Sequence, residues 1–305
     1  VDINKYELLY VSPSITVTPD KFDKQIRYLA NRYNIISLDE LVDAMNNGYV
    51  PKNSLVITFD DGYRDNFIHA YPVLKKYRAY ATIYLTTNCI GTNNMIWMHK
   101  VFHILQTSSA KNIEIADDVY TLEDMNNILH VAGIIGKLVK RMRSIDERDR
   151  FLHDIADRLG VMIKEDEIDN MMLSWDEIRA MKQAGLLSFG AHTLTHPNLP
   201  SLATEEAEKE IEGSKKVIED KIGGLIRLFS FPDGGAEIHY NRAIQDIVQD
   251  CGYACAVTSD SGVVDKDSDI YALPRIGVNK NNRLMDIAVG IVTEKLFWWV
   301  NKKIL

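Results

Sequence analysis

Short apolar runs punctuate this chain at intervals that leave room for a helix between most neighbours. They are LVITF (55–59), ATIYLTT (81–87), LLSFGA (186–191), LIRLFSF (225–231), ACAVT (254–258) and YALPRIGV (271–278). Most do not alternate strictly between apolar and polar residues. A strand that stays apolar on both faces belongs in a parallel sheet covered by helices, whereas a half-exposed strand alternates. Between the runs the apolar spacing lengthens to that of amphipathic helices, and several helix starts carry their own capping chemistry. Thr18-Pro19 opens TPDKFDKQIRYLANRY with an N-cap hydroxyl and a proline at the first helical position. Ser37 with Glu40, and Ser174 with Glu177, have the spacing of capping boxes ahead of LDELVDAM and WDEIRAMKQAG. Residues 204–222 predict a charged amphipathic helix that stops at Gly223-Gly224.

Strand and helix alternating along the chain predict an α/β fold, with about seven parallel strands arranged as a distorted (β/α) barrel. One stretch breaks the rhythm. Residues 93–173 show helical periodicity and no convincing strand, in LEDMNNILHVAGIIGKLVKRMR and ERDRFLHDIADRLG. They are expected to form a mostly helical insertion within a single domain covering residues 1–305.

Composition narrows the function classes. The chain has 305 residues, 46% of them hydrophobic, which is enough for a substantial core. A formal charge of −8 argues against a nucleic-acid groove or an anionic membrane surface, since both call for clustered Lys and Arg. The one dense basic run, KLVKRMR (137–143), is expected to be the solvated face of a helix. No apolar stretch reaches the roughly 18 residues of a membrane span, and the aromatic tail LFWWVNKKIL (296–305) is expected to pack on the domain. Cys89, Cys251 and Cys255 form neither a CxxC nor an even framework. Reduced thiols are therefore expected, and with them a cytoplasmic location. The chain begins with Val and shows no signal peptide, which leaves open a segment ahead of it; the oligomeric state is open as well.

The chemistry sits directly after the apolar runs. Asp60-Asp61-Gly62 follows LVITF; His192 and His196, four residues apart, follow LLSFGA; FPDGG closes LIRLFSF; and Arg275 lies in LPRIGV. Each has a bland reading alone, as a turn, a pair of surface histidines or a strand-end cation. Placed after successive parallel strands, however, such groups converge on one face of a barrel. A carboxylate and two imidazoles make a facial ligand set with positions open for water and substrate. Pro197 disfavours helical geometry at His196, so a tight loop is expected there. Zinc, iron, cobalt and nickel all suit such a set, which leaves a hydrolase and an iron oxygenase both open.

TFDDGY together with HTLTHP resembles the polysaccharide deacetylase family, the carbohydrate esterases built on the NodB homology domain. The likeness runs from about residue 14 to about residue 280 and takes in MLSWDEIRAMKQAG and FSFPDG. It implies a hydrolase that removes acetyl from an N-acetylated carbohydrate: a surface polysaccharide, an O-antigen chain or a sugar precursor. Asp61, His192 and His196 would bind a divalent metal, Zn2+ before others, and Asp60 would be the general base that deprotonates the attacking water. The backbone N–H of Asp233 would receive the oxyanion. An amidase for another C–N bond and a catalytically degenerate carbohydrate-binding member are the alternatives.

Two departures from the family pattern stand out. The arginine that opens the third motif is replaced by Ser230-Phe231, and Arg275 of the PRI phrase, a feature of a permuted branch, takes its place. The family's general-acid histidine on a late strand is missing; permuted relatives carry it in a Tyr-His pair, expected upstream of residue 1. His239 is the fallback acid. His99 is a weaker candidate, and Trp97 reads either as a sugar-stacking ring or as a packing residue.

Overall fold

The computed structural model describes residues 17–163 and 171–278. In chain order the elements are α1 (Pro19–Ala30), β1 (Asn34–Ile35), α2 (Leu38–Asn46), β2 (Ser54–Leu55), β3 (Thr58–Phe59), α3 (Tyr71–Tyr77), β4 (Ala81–Leu85) and α4 (Trp97–Thr107). There follow β5 (Asn112–Ile115), β6 (Asp118–Thr121), α5 (Met125–Val139), α6 (Ile145–Arg158), α7 (Trp175–Gln183) and β7 (Leu187–Ala191). The last are α8 (Thr204–Ile222), β8 (Leu228–Ser230), α9 (Arg242–Asp250), β9 (Cys255–Ser261) and β10 (Leu273–Arg275).

Six strands pair in parallel, in the order β10-β9-β8-β7-β4-β3, and the sheet curls into a half-barrel. β1 and β2 form a separate parallel pair. The sheet is apolar on both faces, as the unbroken runs predict. All five residues of β4 are buried. In β9, Ala256 joins the larger core while Cys255 and Val257 join a second cluster with Leu38, Leu41, Val42 and Met45 of α2. That two-sided burial is what fixes the strand register, because slipping by one residue would exchange the two sets.

The edge strands β10 and β3 do not pair with each other. A side chain joins them instead: Arg275 ends β10 and donates to Thr58 Oγ1 on β3 at 3.1 Å. β10 accommodates Pro274 because it is an edge strand with a register shift between Leu273 and Arg275. Such an irregularity re-aims the side chain that follows it.

Helix starts agree with the capping chemistry. Ser174 and Glu177 complete a reciprocal box at 3.2 and 2.9 Å. Thr18 and Ser37 each accept from the third residue on, at 3.4 and 3.1 Å. Each such cap contributes about 1 kcal/mol. α8 ends at Ile222, with Gly223 at φ 71°.

Two expectations need correction. Residues 93–173 contain strands as well as helices: β5 and β6 form an antiparallel hairpin whose turn residues, Ala116 and Asp117, both have positive φ (50° and 69°). Such turns are normally announced by Asn-Gly or Asp-Gly, and Ala-Asp carries no such signal. The basic run is not one helical face either, for α5 ends at Val139 and leaves Lys140 at its C-cap. The tail 296–305 lies outside the described residues. Among the described residues no helix is long and apolar enough to cross a membrane.

Candidate metal centre

Because the strands run parallel, their C-terminal ends share one edge of the sheet, and Asp60, Asp61, His192, Asp233 and Arg275 sit there. Asp60 and Asp61 follow β3, His192 follows β7, Asp233 follows β8 and Arg275 ends β10.

A three-residue turn, Asp60-Asp61-Gly62, contains the two adjacent acids. Gly62 N–H donates to Asp60 O at 2.9 Å, with Asp61 between them at φ 73°. A non-glycine residue in that region is strained, and such strain persists where the surroundings hold it. Gly62 itself stands at φ +83°, and a Cβ there would come within 2.8 Å of Ile90 Cδ1 and 2.9 Å of Leu85 Cδ2. The neighbouring carboxylates consequently face different partners.

Asp60 faces Arg275. The guanidinium reaches it in fork geometry, Nη1 to Oδ1 at 2.9 Å and Nη2 to Oδ2 at 2.7 Å, and Ser230 Oγ adds a bond to Oδ1 at 3.3 Å. Nε of Arg275 donates to Thr258 O at 2.6 Å. Burial pushes the Asp60 carboxyl up, but Arg275's charge and hydrogen bonds, with the imidazoles of His192 and His196, hold it well below the usual carboxylate range.

Asp61 faces the histidines. Its Oδ1 lies 3.5 Å from His192 Nε2 and 3.4 Å from His196 Nε2. All three groups offer ligand atoms within 4.8 Å of one another. Those spacings are long for hydrogen bonds, yet donors about 2.1 Å from one ion in tetrahedral array stand about 3.4 Å apart. Asp61 Oδ1 and His196 Nδ1 are buried without a hydrogen-bond partner. An unpaired buried carboxylate oxygen between two imidazole nitrogens is costly unless a cation lies between them. The donor set therefore fits a divalent metal ion.

The surroundings orient the ligands. His192 Nδ1 lies 2.7 Å from Ser230 O, and a carbonyl only accepts, so Nδ1 carries the proton and the Nε2 lone pair faces Asp61. Burial pushes the His192 pKa down, which favours the neutral, ligating form. As Pro197 predicts, His196 is in a tight loop, at φ 58° with Thr193 at φ 66°. Thr193 Oγ1 accepts from His196 N–H at 3.0 Å, and the indole N–H of Trp97 donates to His196 O at 2.8 Å. Trp97 is 4% exposed, so it packs and orients; no face is free for a sugar ring.

His99 is buried, with Nε2 2.7 Å from the Tyr63 hydroxyl, and burial pushes its pKa down to about 4. His239 follows the FPDGG turn; its Nδ1 accepts from Gly235 N–H at 3.1 Å, which puts the neutral ring's proton on Nε2. Asp233 stands at φ 58° in a turn closed from Gly234 N–H to Pro232 O at 2.6 Å. Gly234 is fixed as glycine, since a Cβ would meet Ser259 N at 2.5 Å. Sequence reasoning missed Lys140, whose Nζ lies 2.9 Å from Asp233 Oδ2. No local pattern marks it, because its partner is distant in the chain. The Tyr-His pair expected upstream of residue 1 lies outside the described residues.

Comparison with known proteins gives this geometry a family. A putative polysaccharide deacetylase of Bacillus subtilis is 23% identical over 276 residues, covering 90% of this chain and 70% of that protein. A poly-beta-1,6-N-acetyl-D-glucosamine N-deacetylase of Staphylococcus epidermidis is 29% identical over 178 residues, 56% of this chain and 59% of that one. In structure, a Streptococcus pyogenes deacetylase solved in complex with acetate shares the fold at TM-score 0.61 and 20% identity, covering 95% of this chain and 93% of its own. The polysaccharide deacetylase family model matches residues 47–256. That span carries Asp60, Asp61, His192, His196 and Asp233, and the chain belongs to the polysaccharide deacetylase family.

Proposed function

We propose that this protein is a metal-dependent hydrolase that removes acetyl groups from the N-acetylated amino sugars of a glycan. The observation that carries the reading is the separation of the paired acids. Asp61 faces two imidazoles with an unpaired oxygen, while Asp60, one residue away, is held by Arg275 outside that cluster.

Asp61, His192 and His196 would hold the ion, with Zn2+ the first choice for two imidazoles and a carboxylate. When bound, the ion supplies Lewis-acid polarisation of the acetyl oxygen and makes an adjacent water easier to ionise. Asp60 takes the proton from the attacking water, through a lone pair not engaged by Arg275 or Ser230. The Arg275 fork keeps Asp60 ionised and fixes its direction, at the cost of some basicity. The backbone N–H of Asp233, at the mouth of β8, donates to the oxygen that gains charge as water adds to the carbonyl. The substrate class follows the staphylococcal relative in kind, a polymer of N-acetylglucosamine.

The test is acetate release from N-acetylglucosamine oligomers of different linkage by zinc-loaded protein, beside simple amides such as formamides. Asp60→Asn is expected to lose turnover and keep its metal. Loss of metal in that variant would reverse the roles of the two acids. Oligosaccharide affinity with no acetate release by the wild type would overturn the hydrolase reading in favour of a binding member.

A further inference from the structure

The turn after β8 poses an electrostatic problem. On the reading above, the Asp233 N–H receives a developing oxyanion, yet the same residue carries a carboxylate. A full negative charge one side chain from the oxyanion opposes its formation, and opposes it more strongly in a partly dehydrated site than in water. The carboxyl is also held low: burial pushes it up, and the charges of His196, Lys140 and His239 outweigh burial. Protonation therefore does not remove the conflict at neutral pH.

The structure supplies a cation instead. Lys140 Nζ lies 2.9 Å from Asp233 Oδ2, and each side chain is 28% exposed. The lysine comes from a distant part of the sequence, at the C-cap of α5 inside the 93–173 insertion. Its backbone is fixed to the segment that follows the metal-ligand loop, with Lys140 O accepting from Asn198 Nδ2 at 2.8 Å and Ser201 Oγ at 2.6 Å. The insertion grips that loop twice more: Arg148 Nη1 donates to Thr195 O at 3.1 Å and Trp97 to His196 O at 2.8 Å. Lys140 is thus held in register with both the histidines and the FPDGG turn.

We infer that Lys140 is a positioning residue for deacetylation: its ammonium neutralises the Asp233 carboxylate and aims the turn, so that the Asp233 N–H can donate to the substrate oxygen that gains negative charge. This rests on the oxyanion role proposed for Asp233 and explains what the insertion contributes to the site. Lys140 and Asp233 should then act as one unit, each mattering because the other is present.

The experiment is a double-mutant cycle on the zinc-loaded full chain, with Lys140→Met, Lys140→Arg, Asp233→Asn and the Lys140→Met/Asp233→Asn double variant. Two readouts are taken: kcat and KM for acetate release from N-acetylglucosamine oligomers, and the dissociation constant of acetate, an anion probe that needs no turnover. Lys140→Met is expected to lower kcat about tenfold or more and to weaken acetate by a similar factor, with KM and zinc content little changed. Lys140→Arg should restore most of both. In the Asp233→Asn background the same lysine change should cost less than about threefold. Equal losses in the two backgrounds would overturn the inference, as would a loss confined to KM or to zinc content. If the wild type binds acetate yet releases none from any substrate, the hydrolase reading fails while the acetate cycle still decides the role of Lys140. Acetate affinity that ignores Lys140 in such a protein also overturns it.

Discussion

Replacing Arg275 with methionine keeps much of the side chain's length and removes its charge, so the effect on Asp60 follows from the hydrogen bonds that the guanidinium makes. These run from Nε to Thr258 O, from Nη1 to Thr58 Oγ1 and Asp60 Oδ1, and from Nη2 to Asp60 Oδ2 and Ser230 Oγ, at 2.6, 3.1, 2.9, 2.7 and 3.4 Å. Breaking a buried ion pair from one side costs about 3–5 kcal/mol, mostly because the remaining charge is uncompensated. The Asp60 side chain is 29% exposed and can recruit water, so the low end, about 3 kcal/mol, applies. With about 2.1 cal/mol/K of unfolding entropy per residue over 305 residues, that is a fall of about 5 °C in Tm.

The pH dependence gives the sharper check, measured on metal-free protein so that no ion competes for the site. In the wild type the Asp60 pKa is depressed, so its contribution to stability is present above the unfolded value, about 4. That contribution is lost as pH falls through the folded value. In the variant, burial without Arg275 raises the pKa, and Asp60 takes up a proton on folding. The gap between the two proteins is therefore largest near pH 7 and shrinks as pH falls through the carboxylate range. Thermal unfolding followed by circular dichroism at pH 7 and pH 4 reads both numbers. A loss under about 2 °C at pH 7, or an equal loss at both pH values, would refute the reasoning.

Three further outcomes follow from the geometry. Asp61→Asn is expected to weaken zinc by at least about 100-fold in a chelator competition while leaving the fold intact, since it replaces the only carboxylate of the ligand set. Trp97→Phe removes the donor to His196 O and should weaken zinc by about 10-fold, read in the same competition, because partners that orient ligands contribute 10–100-fold to affinity. Ser174→Ala should cost about 1 kcal/mol in denaturant unfolding, because it removes the hydroxyl half of the reciprocal capping box that starts α7.

Much of the site was legible in the sequence. The six apolar runs marked strands, and a strand apolar on both faces implies a parallel sheet, which sends all strand ends to one edge. From that alone the Asp60-Asp61 pair, His192 and His196 could be grouped although they lie far apart in the chain; the choice of Asp61 over Asp60 came from the family resemblance. The capping residues Thr18, Ser37 and Ser174 also announced their helices, because a cap is a local exchange of hydrogen bonds between neighbours in sequence. The β5–β6 hairpin was invisible because Ala116-Asp117 adopts a turn that those residues rarely choose alone. Packing of Ile113 and Ile115 into the core overrides that preference.

What the sequence determined by itself, then, was the local and periodic: strand and helix type, the parallel sheet, and the acids and histidines that such a sheet must gather at one edge. The tertiary structure decided the rest. It turned Asp60 and Asp61 toward different partners through a strained turn held by its surroundings, and joined the two sheet edges through Arg275. It also carried Lys140, at the C-cap of α5, to Asp233. These outcomes depend on charges and donors remote in sequence, whose interaction energy depends on distance and burial; neither exists until the chain has folded.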